Sequence, residues 1–106
     1  MDDAPFTCTV EEDGDAVVLK PVGELDALTA PRFREVAHAA VLRPRTTGVE
    51  VDLSGVDFLD SSGLREFIDA SRIARTREIP FRLTNAQPRV HRTFVLVGLE
   101  RHLELG

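Results

Sequence analysis

Apolar and polar residues alternate in four short stretches of the chain, with the period expected of strands that bury one face. These stretches predict strands at residues 6–10, 16–22, 49–53 and 80–84. The charged segment 11–15 between the first two contains a glycine and predicts a turn. The first two strands are therefore expected to pair as an antiparallel hairpin.

Three further stretches repeat apolar residues every three or four positions, which is the spacing of one helix face. The predicted helices run from a cap at Asp26 or Thr29 to Arg43, from Ser62 to about Arg75, and from Pro88 to a C-terminal cap at Gly98. The order is β-β-α-β-α-β-α, and strands that alternate with helices pair in parallel through right-handed crossovers. We therefore predict one α/β domain over residues 1–106, with a mixed, mostly parallel sheet that begins with the antiparallel hairpin.

Composition narrows the classes of protein to which the chain can belong. The 106 residues are 42% hydrophobic and 29% charged, as in an ordinary globular domain. The net charge of −5 disfavours nucleic acid as a partner, because nucleic-acid binding depends on neutralising phosphates with lysine and arginine. An acidic surface instead suits a protein partner that carries basic residues.

Residues that commonly build metal, redox or membrane sites are sparse. The single cysteine, Cys8, permits no internal disulfide and no multi-cysteine metal site. His38, His91 and His102 lack the spacing of metal ligands, and we interpret all three as surface or satisfied residues, so neither a metal nor a cofactor is expected. The acidic N-terminus does not resemble a signal peptide, and every apolar run is too short to span a bilayer. We therefore expect a cytoplasmic protein without membrane contact.

Polar residues gather in the loop predicted between the strand at 49–53 and the second helix. Asp60, Ser61 or Ser62 can cap that helix, because a short side-chain oxygen accepts a hydrogen bond from a free N–H of the first turn. The helix start also presents the positive end of the helix dipole, which favours a phosphate group. On local sequence alone, Ser61 is a helix cap or a loop residue. No nucleophile–base pair or glycine-rich phosphate loop accompanies it, so an enzyme is not expected.

Residues 52–64 have the sequence D-L-S-G-V-D-F-L-D-S-S-G-L, which resembles the signature of the anti-sigma factor antagonists, the small bacterial members of the STAS domain family. Two further segments are similar to that family: G-E-L-D at 23–26, and N-A-Q-P-R-V at 85–90 followed by G-L. The resemblance thus covers nearly the whole chain. It implies a STAS fold, which has the predicted order of strands and helices. It also implies that Ser61 is phosphorylated by the anti-sigma factor, which is a serine kinase.

The resemblance implies a regulated binding module that is a kinase substrate and not an enzyme. The unphosphorylated protein would bind the anti-sigma factor and free a sigma factor. Phosphorylation would end that binding, and a serine phosphatase would restore it. The residues around Ser61 that are expected to contact the partner are Asp26, Asp57, Asp60, Ser62, Gly63 and Arg65.

Some of these residues have a second, structural interpretation. Ser62 is predicted to be the helix cap. Asp26, Asp57 and Asp60 either complete turns and caps or contact basic groups of the partner. The loops after the second and third strands are expected at one end of the sheet, which would put Asp26 near Ser61.

Arg65 departs from the family pattern, which often has glycine at this position. A glycine lets a partner backbone come close, and an arginine does not. Arg65 lies four residues after Ser61, a spacing that brings side chains together on a helix surface. It either pairs with a phosphate on Ser61 or is a solvated charge.

Two other functions compete with this one. The first is a regulatory or scaffolding STAS domain of another signalling assembly, or a part of an anion transporter, which the lack of a membrane segment disfavours. The second is a receiver-like domain phosphorylated on Asp52. Receiver chemistry needs an acidic metal-binding pair near the first strand and a lysine late in the chain, whereas Lys20 is the only lysine. The receiver function is therefore disfavoured.

Overall fold

Within residues 6–102, which the computed structural model describes, the chain forms five strands and three helices. The strands are β1 (Thr7–Asp13), β2 (Ala16–Leu25), β3 (Gly48–Asp52), β4 (Val56–Leu59) and β5 (Phe81–Thr84). The helices are α1 (Ala30–Leu42), α2 (Ser61–Thr76) and α3 (Pro88–Leu96), followed by a 3₁₀ turn, Glu100–His102.

The sheet is mixed, as predicted. β1 and β2 form an antiparallel hairpin around the two-residue turn at Gly14, whose positive φ of 65° suits glycine. β2 pairs in parallel with β3, and β3 pairs in parallel with β5. The predicted α/β fold class, with its N-terminal hairpin and otherwise parallel pairing, is confirmed.

The strands of the hairpin are longer than predicted. β1 continues to Asp13, into the segment for which the sequence predicts a turn, and β2 continues to Leu25. Charged residues are tolerated there because β1 is an exposed edge strand. Its Glu11 lies 3.1 Å from Lys20, and Glu12 lies 3.2 Å from Arg43. Pairing with β2 therefore outweighs the low strand propensity of these acidic residues.

β4 is a strand that the predicted order lacks, and it occupies the segment predicted as a loop between β3 and α2. It has only four residues, and the middle two, Asp57 and Phe58, are both exposed, so no alternation marks it. β4 forms because β2 is longer than β3: beyond Leu19, the edge of β2 has no partner in β3. β4 pairs in parallel with that remaining part of β2, from Gly23 to Leu25.

The helices pack over the sheet through a row of aromatic rings. Phe33 of α1 and Phe67 of α2 have ring centroids 4.6 Å apart, and Phe67 and Phe94 of α3 have centroids 5.0 Å apart. All three rings are fully buried. Such rings contribute large apolar areas to the core, together with contacts between the rings. The row fixes α1 and α2 side by side, which positions the start of α2.

The central strands bury alternate residues beneath these helices. The buried side chains of β2 and β3 include Val17, Leu19, Val49 and Val51. Among residues 6–102, every helix is too short or too polar to traverse a lipid bilayer.

Candidate functional site

Two loops meet at one end of the sheet because β2 and β4 end side by side. Leu25, the last residue of β2, pairs with Leu59, the last residue of β4. The N–H of Asp60 then donates to the carbonyl of Leu25 at 3.1 Å. Asp26 and Asp60 therefore start neighbouring loops, and Ala27 and Ser61 line the same groove. The structure brings these loops together, as expected, but through β4 and not directly through β3.

Asp60 caps α2. Its backbone is extended, with φ of −111° and ψ of −171°, and its Oδ1 accepts hydrogen bonds from the N–H groups of Ser62 at 2.8 Å and Gly63 at 3.2 Å. The prediction that Ser62 is the cap is therefore wrong. Ser61 and Ser62 both lie inside the helix, so the extended cap position falls to the residue before them.

Ser61 is the first residue of α2, and its side chain is exposed. Asp60 takes the N–H groups that a serine cap would use, so Ser61 is not the cap. Within residues 6–102 the Ser61 hydroxyl makes no hydrogen bond. Ser61 thus presents a free hydroxyl at the positive end of a helix dipole, where added negative charge is favoured.

Arg65 lies on the same exposed face, one helical turn after Ser61. The two residues line both of the adjoining grooves at the start of α2, with volumes of about 370 and 480 Å³. Among the described residues, Arg65 makes no ion pair. Its guanidinium group is therefore available to an anion, and Ser61 is within reach at i,i+4 spacing.

Gly63 has an internal role that the sequence did not indicate. It is buried, and a Cβ atom there would lie 2.7 Å from the carbonyl oxygen of Leu25 and 2.9 Å from Cδ1 of Leu59. The missing side chain lets the first turn of α2 approach the ends of β2 and β4. Direct contact of Gly63 with a partner stays a prediction.

Asp26 organises the loop before α1. Its Oδ1 accepts hydrogen bonds from the N–H groups of Leu28 at 3.0 Å and Thr29 at 3.1 Å. The Thr29 hydroxyl, at the N-cap position, donates to the carbonyl of Glu24 at 2.6 Å. Both predicted capping residues thus take part in this turn, and partner contact at Asp26 stays a prediction.

The loop before α1 and the strand before α2 also carry exposed apolar side chains, which the sequence-based prediction missed. Leu28 is 68% exposed in the loop before α1, and Phe58 is 41% exposed in β4. Asp57, next to Phe58, is exposed and lies in a strand instead of the predicted turn. No local pattern in the sequence marks these two residues as exposed, because their exposure depends on where the loop and β4 lie in the fold. The segments that lead into α1 and α2 therefore expose both acidic and apolar side chains.

Asp52 has a structural environment that does not favour a receiver function. It ends β3, and its Oδ1 accepts hydrogen bonds from the N–H of Ser54 at 3.0 Å and the amide of Asn85 at 3.2 Å. Burial alone would raise the pKa of Asp52, but these hydrogen bonds, with the charge of Lys20, hold the pKa below its ordinary value. Within residues 6–102, the acidic pair that a receiver needs is not found beside it.

The histidines differ from the expectation that all three are surface or satisfied residues. The Nε2 atoms of His38, His91 and His102 are all buried and lack a hydrogen-bond partner among the described residues. His102 is satisfied at one nitrogen only, where Nδ1 lies 3.0 Å from the carbonyl oxygen of Phe81. His38 lies with Glu66 and Asp69 in a group that could hold a metal ion. Spacing along the chain does not reveal this group because its members come from two helices.

Known proteins resemble this chain in both sequence and structure. The family model of the STAS domain matches residues 7–106. The anti-sigma-B factor antagonist of Listeria monocytogenes is 30% identical over 95 residues, which are 90% of this chain and 82% of that protein.

Two solved structures extend the comparison. An anti-sigma factor antagonist from Mycobacterium paratuberculosis superposes with a TM-score of 0.84 and 29% identity, over 95% of this chain and 85% of that one. The phosphorylated form of SpoIIAA, a cell fate determinant of Bacillus, has a TM-score of 0.76 and 22% identity, over 92% of this chain and 89% of that one. At that identity, SpoIIAA shares the fold alone.

Proposed function

The chain belongs to the STAS domain family, and we propose that it is an anti-sigma factor antagonist controlled by phosphorylation of Ser61. Without phosphate it binds an anti-sigma factor, which is a serine kinase, and so frees a sigma factor. The kinase transfers phosphate from ATP to Ser61 and ends the complex, and a serine phosphatase restores it. The names of relatives at 30% and 29% identity support the antagonist role.

The proposed switch depends on one observation: the Ser61 hydroxyl is exposed and makes no hydrogen bond within residues 6–102. A kinase needs a hydroxyl that is exposed and not engaged by the protein's own groups. Ser61 meets both conditions because Asp60 caps α2. By contrast, Ser62 is only partly exposed, and it follows Ser61 into the helix.

The proposed binding surface surrounds Ser61. Exposed Asp57 supplies negative charge, and exposed Leu28 and Phe58 supply apolar area. Oδ2 of Asp26 and of Asp60 accepts no hydrogen bond from the described residues, so each can still accept one from a partner. A partner surface with basic and apolar side chains would complement this arrangement, in agreement with the net charge of −5.

We propose that phosphate on Ser61 weakens the interface with the partner and leaves the fold of the free protein unchanged. It adds a charge of about −1.5 to −2 and three strong acceptor oxygens. Against a partner surface that fits a neutral hydroxyl, the phosphate loses hydration, and water no longer screens its repulsion from Asp57 and Asp60, which is weaker in the free protein. Within the free protein, the helix dipole and Arg65 favour the same group. The complex is therefore destabilised while the free protein is not.

The proposal is tested by incubating the protein with its anti-sigma kinase and ATP, then mapping the modified residue by mass spectrometry. We expect one phosphate, on Ser61, and none in Ser61→Ala. The matched control is Ser62→Ala, which should be phosphorylated as fast as the unchanged protein. Phosphate on Ser62 or Ser54 would contradict the assignment. Failure of the unphosphorylated protein to bind any anti-sigma factor would contradict the antagonist role itself.

A further inference from the structure

Three potential metal ligands converge between α1 and α2. His38 comes from α1, and Glu66 and Asp69 come from α2. One ligand atom of each side chain lies within 4.8 Å of the other two. We infer that these side chains bind a single divalent transition-metal ion, for which Zn²⁺ is the best match. The metal site stands independently of the switch, since its ligands include neither Ser61 nor Arg65.

Burial makes this group unlike a surface cluster of charges. Glu66 is only 7% exposed, and its Oε1 is buried without a hydrogen-bond partner among the described residues. The Nε2 atom of His38 is also buried and also lacks a partner. Buried polar groups are nearly always paired, and an unpaired buried carboxylate is especially unfavourable. A bound cation satisfies both side chains at once.

Packing of the two helices creates the site. The ring contact between Phe33 and Phe67 holds α1 against α2. Ala37, beside His38, and Ala70, beside Asp69, are fully buried in the core. Glu66 and Asp69 are three residues apart, so they project from neighbouring positions on one side of α2.

The chemistry of the three side chains favours zinc over calcium or magnesium. One imidazole and two carboxylates form a mixed nitrogen–oxygen set, whereas calcium and magnesium prefer oxygen ligands alone. Zinc bonds of about 2.0–2.2 Å would place tetrahedral ligand atoms roughly 3.3–3.6 Å apart. The three ligand atoms lie within 4.8 Å of one another, so movements of less than about 1.5 Å would bring them into that arrangement. Water supplies the remaining coordination. His38 and Asp69 are partly exposed, so their side chains can move and the ion can enter.

The experiment titrates ZnSO₄ into the metal-free protein and follows the heat of binding and the melting temperature. We expect one equivalent to bind, with a rise in Tm of about 10–20 °C when free zinc is about 100 times Kd. His38→Gln, Glu66→Gln and Asp69→Asn preserve side-chain size, and each should weaken binding by more than about 100-fold, because loss of even an outer-shell partner costs about 10- to 100-fold. Circular dichroism confirms that each variant is folded.

Matched controls separate this site from incidental zinc binding. His91→Gln removes a partly buried histidine from a different helix, and Cys8→Ser removes the only thiol, and both variants should bind zinc normally. The ¹⁵N resonances of the His38 ring should shift in the zinc complex. Equal binding by the unchanged protein and by His38→Gln would overturn the inference. Competition by an equal concentration of Mg²⁺ would overturn the assignment to an imidazole-preferring metal.

Discussion

The loops before α1 and α2 contain the same kind of aspartate turn, but the hydroxyl side chain that follows each aspartate has a different environment. In each, an aspartate follows the end of a strand, and its Oδ1 accepts hydrogen bonds from the N–H groups two and three residues later. Asp26 does so for Leu28 and Thr29, and Asp60 does so for Ser62 and Gly63. The two strand ends, Leu25 and Leu59, are paired with each other. The loops are therefore neighbours built in the same way.

They differ in what becomes of the hydroxyl. Thr29 is 2% exposed, and its Oγ1 donates to the carbonyl of Glu24 and accepts from the N–H of Asp26. Ser61 is exposed, and its Oγ has no partner within residues 6–102. The Thr29 hydroxyl is used in hydrogen bonds within the turn before α1, whereas the Ser61 hydroxyl at the start of α2 has no partner among the described residues. A serine in the first turn of a helix therefore need not be the cap when the residue before it caps the helix.

The largest expected effect is loss of partner binding when Ser61 becomes negatively charged. A buried, unpaired charge at an interface costs on the order of 2–5 kcal/mol, which is roughly a 30- to 5,000-fold loss of affinity. The phosphorylated protein should lose this much, and Ser61→Asp should lose less because it carries one charge. Ser61→Ala should bind the anti-sigma factor constitutively. Titration calorimetry with the cognate partner measures all three, and equal affinities throughout would exclude Ser61 as the switch.

Gly63→Ala should destabilise the protein at the start of α2, where the helix lies against the ends of β2 and β4. The added Cβ would lie 2.7 Å from a backbone oxygen of Leu25, which cannot rotate away. Overpacking of this kind costs about 1–3 kcal/mol. Gly48→Ala is the control, because its Cβ would have nothing closer than 3.7 Å. Urea denaturation compares the two, and an equal free energy of unfolding would show that the first turn of α2 can shift.

Removing the two hydroxyls tests the central contrast directly. Thr29→Val keeps the shape of the side chain but breaks its buried hydrogen bonds, and we expect a loss of about 1–2 kcal/mol in the free energy of unfolding. Ser61→Ala should change that free energy by less than about 0.5 kcal/mol, as at an ordinary surface site. Chemical denaturation of both variants provides the measurement. A Ser61→Ala variant as destabilised as Thr29→Val would mean that Ser61 has a structural role.

Removing the two aspartates tests their similarity. Asp60→Ala and Asp26→Ala should each cost about 1 kcal/mol of stability, as is usual for a lost cap. Asp60→Asn should cost much less, because the amide oxygen can accept the same hydrogen bonds. Thermal melting of the three variants gives the comparison. If Asp60→Ala were as stable as the unchanged protein, the hydrogen bonds of Asp60 would not be needed to start α2, and its role as the cap would be contradicted.

The smallest effect concerns the fold of the phosphorylated protein. The helix dipole favours a charge at Ser61 by about 0.3–1 kcal/mol at an exposed site, and repulsion from Asp57 and Asp60 opposes it. Melting curves before and after phosphorylation should therefore nearly coincide. In Arg65→Gln, the phosphorylated form should melt a few degrees lower, at about 4–8 °C per kcal/mol for a domain of this size. A large drop in the unchanged protein would show that the switch works by unfolding.

Local patterns in the sequence are sufficient to predict most of the strands and helices. The alternation at 49–53 and the helical spacing after Ser62 report which side of a segment is buried, and that depends on residues close in sequence. The predicted helix limits lie within about two residues of the observed ones for this reason, apart from the cap region of α1. The motif at 60–64 likewise marks the start of α2 and its two serines, because helix starts favour short polar side chains whatever the rest of the fold.

Only the tertiary structure decided how these segments meet. β4 forms because β2 extends beyond its pairing with β3. Gly63 is required because Leu25 lies against the first turn of α2. The choice of Asp60 over Ser62 as cap depended on where the chain leaves β4 and turns into α2. His38 and Glu66 are far apart in sequence, and helix packing alone brings them together. Periodicity records that a residue is buried, but which atoms lie against it is set by contacts between distant segments.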